Sequence, residues 1–223
     1  MIKFYYNTAP NPMKVALALE EMGLKYETVP IDSRKGDQHT DAFKQVNPNG
    51  KVPVLDDNGT IIFDSNAILL WLGDKTGQFV PTDLASPERG AMLSWLMFVA
   101  TGVGPFSGQA VHFRAFAPEP KEYALNRYDF EANRHWQIIE DRLAANKYML
   151  GDQYSIVDMD VWGWARMAPF VLGDDALWDR MPNLKRLLDE VSARPAAERV
   201  ATMMKSHEFK KDMDDVAKKS MFP

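Results

Sequence analysis

Asn49-Gly50-Lys51-Val52-Pro53-Val54-Leu55, followed closely by Phe63-Asp64-Ser65-Asn66-Ala67-Ile68, decides how this chain is read. Val52-Pro53 stands at the mouth of a short apolar run. A proline there permits a cis peptide bond. That geometry turns the N–H and C=O of Val52 outward, where an extended peptide can pair with them as an added strand does. Asp64-Ser65 directly precede an apolar, helix-like run. They bring a carboxylate, a hydroxyl and helix-start N–H groups to one corner, suited to a group with both an amino and a carboxylate function. A backbone clamp beside such a corner fits a small γ-linked peptide. A lone Val-Pro is equally an ordinary rigid bend; the whole constellation favours the clamp.

Working outward, residues 1–78 alternate strands and helices. Ile2, Phe4 and Tyr6 recur with period two, and Val15, Ala16, Leu19 and Met22 with helical spacing up to a stop at Gly23. Residues 26–31 read as a second strand. Residues 52–55 and 60–63 flank Asp56-Asp57-Asn58-Gly59, whose Asn-Gly predicts a hairpin. Residues 65–75 read as a helix. The order is β-α-β, an irregular stretch, then β-β-α, an α/β thioredoxin-like domain. Gly77, Pro81, Ser86 and Pro87 mark a linker over 79–87. Residues 88–223 are expected to be all helical, with a bend or break at Gly102, Gly104 and Pro105, a long helix over 122–145 and an exposed tail after Ser206.

Composition narrows the chemistry. The chain has 223 residues, 46% hydrophobic and 26% charged, within the range of globular proteins. A net charge of −5 argues against nucleic acid as a general partner. No run of about 18 apolar residues predicts a membrane span. The strand-like N-terminus lacks the apolar core of a signal peptide. The count of cysteines is zero, which excludes disulfides and thiolate metal sites and fits a cytoplasmic protein. His39, His112, His135 and His207 show no metal-ligand spacing, so no metal is expected. Any thiol must arrive with a substrate. Ser155-Ile156-Val157-Asp158 matches a capping box, giving Ser155 and Asp158 structural roles.

At Val52-Pro53 and Asp64-Ser65 the chain resembles the glutathione transferases. The resemblance implies a thioredoxin-like domain followed by an all-α domain, with glutathione as substrate. Tyr6-Asn7-Thr8-Ala9-Pro10-Asn11 resembles the Ser/Thr-Pro-Asn loop of the bacterial nu class and the yeast nitrogen regulator, with Ala9 where the hydroxyl residue stands. A glutathione thiol bound there faces a helix N-terminus, which favours the thiolate. Asn11 is then the expected thiolate stabiliser, Thr8 a substitute for the missing hydroxyl, and Tyr6 the alternative by analogy with tyrosine-type transferases. Gln38, from Lys35-Gly36-Asp37-Gln38, corresponds to a glutamine near the glycine end of glutathione, and Lys51 adds attraction for the terminal carboxylate.

The likeness continues through Gly104-Pro105-Phe106, His112-Phe113 and Tyr123-Ala124-x-x-Arg127-Tyr128. It implies a homodimer in which Arg127 reaches the partner subunit's glutathione site, with Phe106 and Phe113 lining an acceptor pocket. The activity it implies is a transferase working on electrophiles, as in detoxification, or a glutathione-dependent disulfide or peroxide reductase. The alternative is a non-catalytic glutathione-binding regulator or carrier of the same fold.

Overall fold

The computed structural model describes residues 1–222. They divide into two compact units: Met1–Thr76 together with the chain from Arg194 onward, and Gly77–Ala193. The expected division at 78 and 88 therefore needs correction at the C-terminus. Residues 194–222 belong with the first unit and not with the helical one.

The first unit holds a four-stranded sheet in the order β2-β1-β3-β4, from β1 (Ile2–Tyr6), β2 (Tyr26–Pro30), β3 (Val54–Asp57) and β4 (Thr60–Phe63). β1 runs parallel to β2 and antiparallel to β3, with Phe4 opposite both Thr28 and Leu55. The β3–β4 hairpin turns through Asn58 (φ 54°) and Gly59 (φ 97°), the left-handed pair the sequence predicts. α1 (Pro10–Glu21) and α3 (Ser65–Thr76) pack against each other and bury Leu17, Leu19, Ile68, Leu69 and Leu72. The irregular stretch contains a single 3₁₀ turn (Asp37–His39) and α2 (Asp41–Val46), absent from the predicted order. Phe43 of α2 packs with Ile31 and Val54, and Tyr5, Val46 and Val52 close over them. This satellite core fixes the strand end that carries Val52.

The tail is largely exposed, as expected, and it is tied down. α11 (Pro195–Lys205) packs on α1, where Arg194 and Arg199 pair with Glu21 and Glu20. Beyond it, the Lys210 amide donates to Asp32 Oδ2 at 2.8 Å, and Arg34 Nη1 donates to the carbonyls of Lys210 and Lys211 at 2.8 and 2.9 Å. The Phe209 ring meets Tyr6 edge-on at 5.6 Å. α12 (Asp215–Met221) ends the described chain, capped by the Asp214 carboxylate.

The second unit is helical: α4 (Pro87–Phe98), α5 (Gly104–Val111), α6 (Glu122–Ala145), α7 (Ile156–Ala165), the short α8 (Ala168–Leu172) and α9 (Leu177–Arg180), and α10 (Pro182–Ser192). Of the expected bend or break near Pro105, a break does not occur. Widened π turns at Val99–Val103 and His112–Phe116 carry the helix through, and the first of them makes room for the proline ring. A Cβ on Gly102 would stand 2.4 Å from the His135 ring, so only glycine lets α6 approach this turn. The resulting helix 87–116 is, by length and composition, long and apolar enough to cross a membrane, contrary to the sequence expectation. Within this unit α4 packs on α7 and α5 on α6, and a third of the apolar stretch is buried.

Every residue of α7 is buried. Its N-terminus carries the predicted capping box: Ser155 Oγ accepts the Val157 amide at 3.2 Å, and Asp158 accepts the Ser155 amide at 2.9 Å. Asp158 also accepts the Met149 amide at 2.8 Å, joining the preceding loop to the helix. Burial outweighs these donors and pushes the Asp158 carboxyl up to about 6.

Candidate functional site

A cleft of about 190 Å³ in the first unit is lined by Asn11, Asn47, Asn49, Lys51, Val52, Pro53, Phe63, Asp64 and Ser65. Two helix N-termini supply its wall: Asn11 is the second residue of α1 and Ser65 the first of α3. Each helix start carries partial positive charge and favours an anion. Lys51 adds a full positive charge and Asp64 a negative one. The cleft is thus suited to a ligand carrying both signs.

The Val52-Pro53 peptide is cis, as the sequence suggests. Asp64 has φ 72°, an uncommon conformation for a residue with a side chain, at which Asn and Asp are enriched. Its Oδ1 accepts the amides of Asn66 at 2.9 Å and Ala67 at 3.2 Å, so Asp64 caps α3 while its carboxylate lines the cleft.

Asn47 and Asn49 line the cleft too, and sequence reasoning missed both. Asn47 is buried; its Nδ2 donates to the Lys51 carbonyl at 2.6 Å and its Oδ1 accepts the Asn49 amide at 3.0 Å. These bonds close the loop that delivers Lys51-Val52-Pro53. The signal was present in Asn47-Pro48-Asn49-Gly50, a run of residues with turn chemistry. Phe63 also escaped notice as a cleft residue: it is half exposed at the end of β4.

The remaining candidates are placed elsewhere. Tyr6 is fully buried, stacked on Phe4 at 5.5 Å, on the inward face of β1 and outside the cleft lining. Thr8 is exposed and lies outside the cleft lining. Gln38 is turned toward the C-terminal segment: its Nε2 donates to the carbonyls of Ser33 at 3.2 Å and Ser220 at 2.8 Å. Its backbone carbonyl oxygen lies 3.3 Å from where a Cβ on Gly50 would stand.

In the second unit, Arg127 pairs with Glu131 one turn along α6 at 2.8 Å. Phe113 stacks on Tyr128 at 5.3 Å, and Phe106 lies 4.8 Å from the His135 ring. Among the described residues no group of three or more His, Asp or Glu is arranged to hold a metal.

A β-α-β-α-β-β-α sheet domain with a cis-proline loop beside two helix N-termini, joined to a helical unit, defines a glutathione transferase-like protein. The sequence matches the glutathione S-transferase N-terminal domain over residues 8–75 and the C-terminal domain over residues 103–195, and the chain belongs to this family. The disulfide-bond oxidoreductase YfcG of Escherichia coli (strain K12) is 34% identical, over 88% of this chain and 92% of its own. A second E. coli protein, the disulfide-bond oxidoreductase YghU, is 36% identical over 89% of this chain and 73% of its own. Among solved structures, a glutathione transferase family member from Pseudomonas fluorescens with two glutathione molecules bound superposes with TM-score 0.82 at 34% identity, covering 89% of this chain and 91% of that one. The transferase Ure2p6 from Phanerochaete chrysosporium in complex with oxidised glutathione gives TM-score 0.85 at 30% identity, covering 92% and 96%.

Proposed function

We propose that the cleft binds glutathione and that the chain uses it to reduce disulfides. The observation that carries this reading is the convergence of Asn11, Val52-Pro53 and Asp64-Ser65 on one cleft at two helix N-termini. The γ-glutamyl ammonium meets Asp64, its carboxylate meets Ser65 and the start of α3, and the peptide backbone pairs along Val52. The thiol then faces the start of α1, where the Asn11 amide donates to the sulfur.

With no cysteine in the chain, both reducing thiols come from glutathione. A bound thiolate attacks one sulfur of the substrate disulfide. A mixed disulfide forms, and the other sulfur leaves as a thiolate that takes up a proton. A second glutathione thiolate attacks the glutathione sulfur of the mixed disulfide, giving oxidised glutathione and releasing the second substrate thiol. Relatives named as disulfide-bond oxidoreductases, and relatives holding two glutathione molecules or oxidised glutathione, support this reading over attack on an electrophilic carbon.

Ala9 favours a second reading, since the loop has no hydroxyl at that position and Thr8 lies off the cleft: a glutathione-binding carrier or regulator without turnover. Assays with glutathione and a panel of disulfides, peroxides and electrophiles separate the two. Binding with disulfide turnover supports the enzyme, and binding without any turnover supports the carrier. Absence of glutathione binding by calorimetry rejects both.

The proposed assembly is a cytoplasmic homodimer. Ile61, Phe63 and Trp71 are large apolar residues exposed on β4 and α3, a surface suited to a second copy. In it Arg127 would approach the partner subunit's site, and Phe106 and Phe113 would line the acceptor side. A monomeric mass by light scattering at micromolar concentration rejects the dimer.

A further inference from the structure

We propose that Lys14 is a positioning residue for the corner that takes the γ-glutamyl group, acting through Asn66 on Ser65; this rests on the glutathione reading above. Lys14 lies on α1, one turn beyond Asn11, and is only 1% exposed. Its Nζ donates to Asn66 Oδ1 at 2.6 Å. Ser65 Oγ donates to the same oxygen at 3.2 Å. Asn66 is 2% exposed and Ser65 5%. Ser65 lines the cleft; Lys14 and Asn66 stand behind it.

A lysine is an expensive choice for a core position, because burying an ammonium loses its hydration. A methionine of similar length would fill the space between α1 and α3 without that cost. The lysine supplies direction instead. One oxygen of Asn66 receives both donors, so the Ser65 hydroxyl is aimed by a side chain from the other helix. Lys14 thereby ties the helix start that faces the thiol to the helix start that faces the γ-glutamyl carboxylate. Lys14 is linked to the cleft wall through Asn66 and Ser65 and is itself no part of the lining.

The test compares glutathione, by calorimetry, with cysteinylglycine, which lacks the γ-glutamyl group, by competition up to millimolar concentration. Lys14→Met should weaken glutathione binding about ten-fold or more and leave cysteinylglycine within about two-fold. Lys14→Arg, which keeps a donor, should retain most of the preference. If Lys14→Met fails to fold by circular dichroism, the same comparison is made with Asn66→Asp and Asn66→Leu. The aspartate still accepts both donors and should keep the preference; the leucine should lose it. Equal losses for both ligands, or no loss, overturn the assignment while leaving the glutathione reading intact. Failure of the unsubstituted chain to bind glutathione overturns both.

Discussion

Asn7 Oδ1 accepts the Ala9 amide at 3.0 Å, while Asn7 Nδ2 donates to Ser33 Oγ at 2.9 Å. The turn into α1 is therefore closed by Asn7, two residues ahead of the cap residue Ala9, which itself contributes no side-chain bond. Asn11 lies beyond that turn, on the wall of the cleft.

Asn11→Ala should accordingly act on chemistry more than on binding. Loss of a donor to a thiolate raises the bound thiol's pKa and removes an interaction that strengthens in the transition state. We expect kcat for glutathione-dependent disulfide reduction to fall about ten-fold or more, equivalent to roughly 1.4 kcal/mol. Thr8→Val should leave kcat nearly unchanged. Steady-state kinetics of the two variants, measured side by side, checks both statements.

Asp64 has two separable roles. It caps α3 from a left-handed backbone conformation, and its carboxylate lines the cleft. Asparagine tolerates that conformation and also caps helices, so Asp64→Asn should change stability by no more than about 0.5 kcal/mol. It should still weaken glutathione binding by about 2 kcal/mol, because the ligand's ammonium loses a charged partner. Asp64→Ala should lose the cap as well and cost about 2 kcal/mol in stability. Calorimetry and urea unfolding on both variants separate the effects; full affinity in Asp64→Asn would remove Asp64 from the ligand site.

Asp158 predicts a pH dependence of stability. Burial raises its folded pKa to about 6, above the ordinary value of 3.8. The folded state thus binds the proton more tightly than the unfolded one. The stabilisation is complete below the unfolded value and is lost as pH rises through about 6. Stability of the unsubstituted chain relative to Asp158→Asn should decrease between pH 4 and pH 7, by up to about 3 kcal/mol. Unfolding curves for both proteins across that range check the sign.

Arg34 anchors the C-terminal segment through the carbonyls of Lys210 and Lys211. Arg34→Ala should destabilise the protein by about 1–2 kcal/mol. Amide hydrogen exchange should speed up mainly over residues 207–222. Unchanged protection there would show that Phe209 and Asp32 hold the segment without it.

Local signals carried much in both units. The Asn58-Gly59 turn, Pro53 and the Ser155–Asp158 box each depend on residues close in sequence, and each is found where the sequence put it. Tyr6 illustrates a signal read twice in conflicting ways. Its period-two partnership with Ile2 and Phe4 already placed it on a buried face, which argues against a role at an open cleft. Gln38 is a different case. Its partner Ser220 lies 182 residues away, and no local pattern announces such a pairing. Lys14 likewise reads as a solvent-facing helix residue until Asn66 is seen beside it.

Because residues 194–222 complete the sheet-bearing unit, the order of synthesis and the order of assembly do not coincide. The strands leave the ribosome first. Glu20, Glu21 and Asp32 then wait for Arg199, Arg194 and Lys210 while the whole helical unit is being made. The nascent glutathione-binding half is thus expected to stay loosely closed through most of translation and to tighten only when the final helices emerge. A premature stop anywhere in the helical unit would release a chain whose cleft loops are encoded in full but whose α1 and Asp32–Gln38 segment lack the partners supplied by residues 194–222.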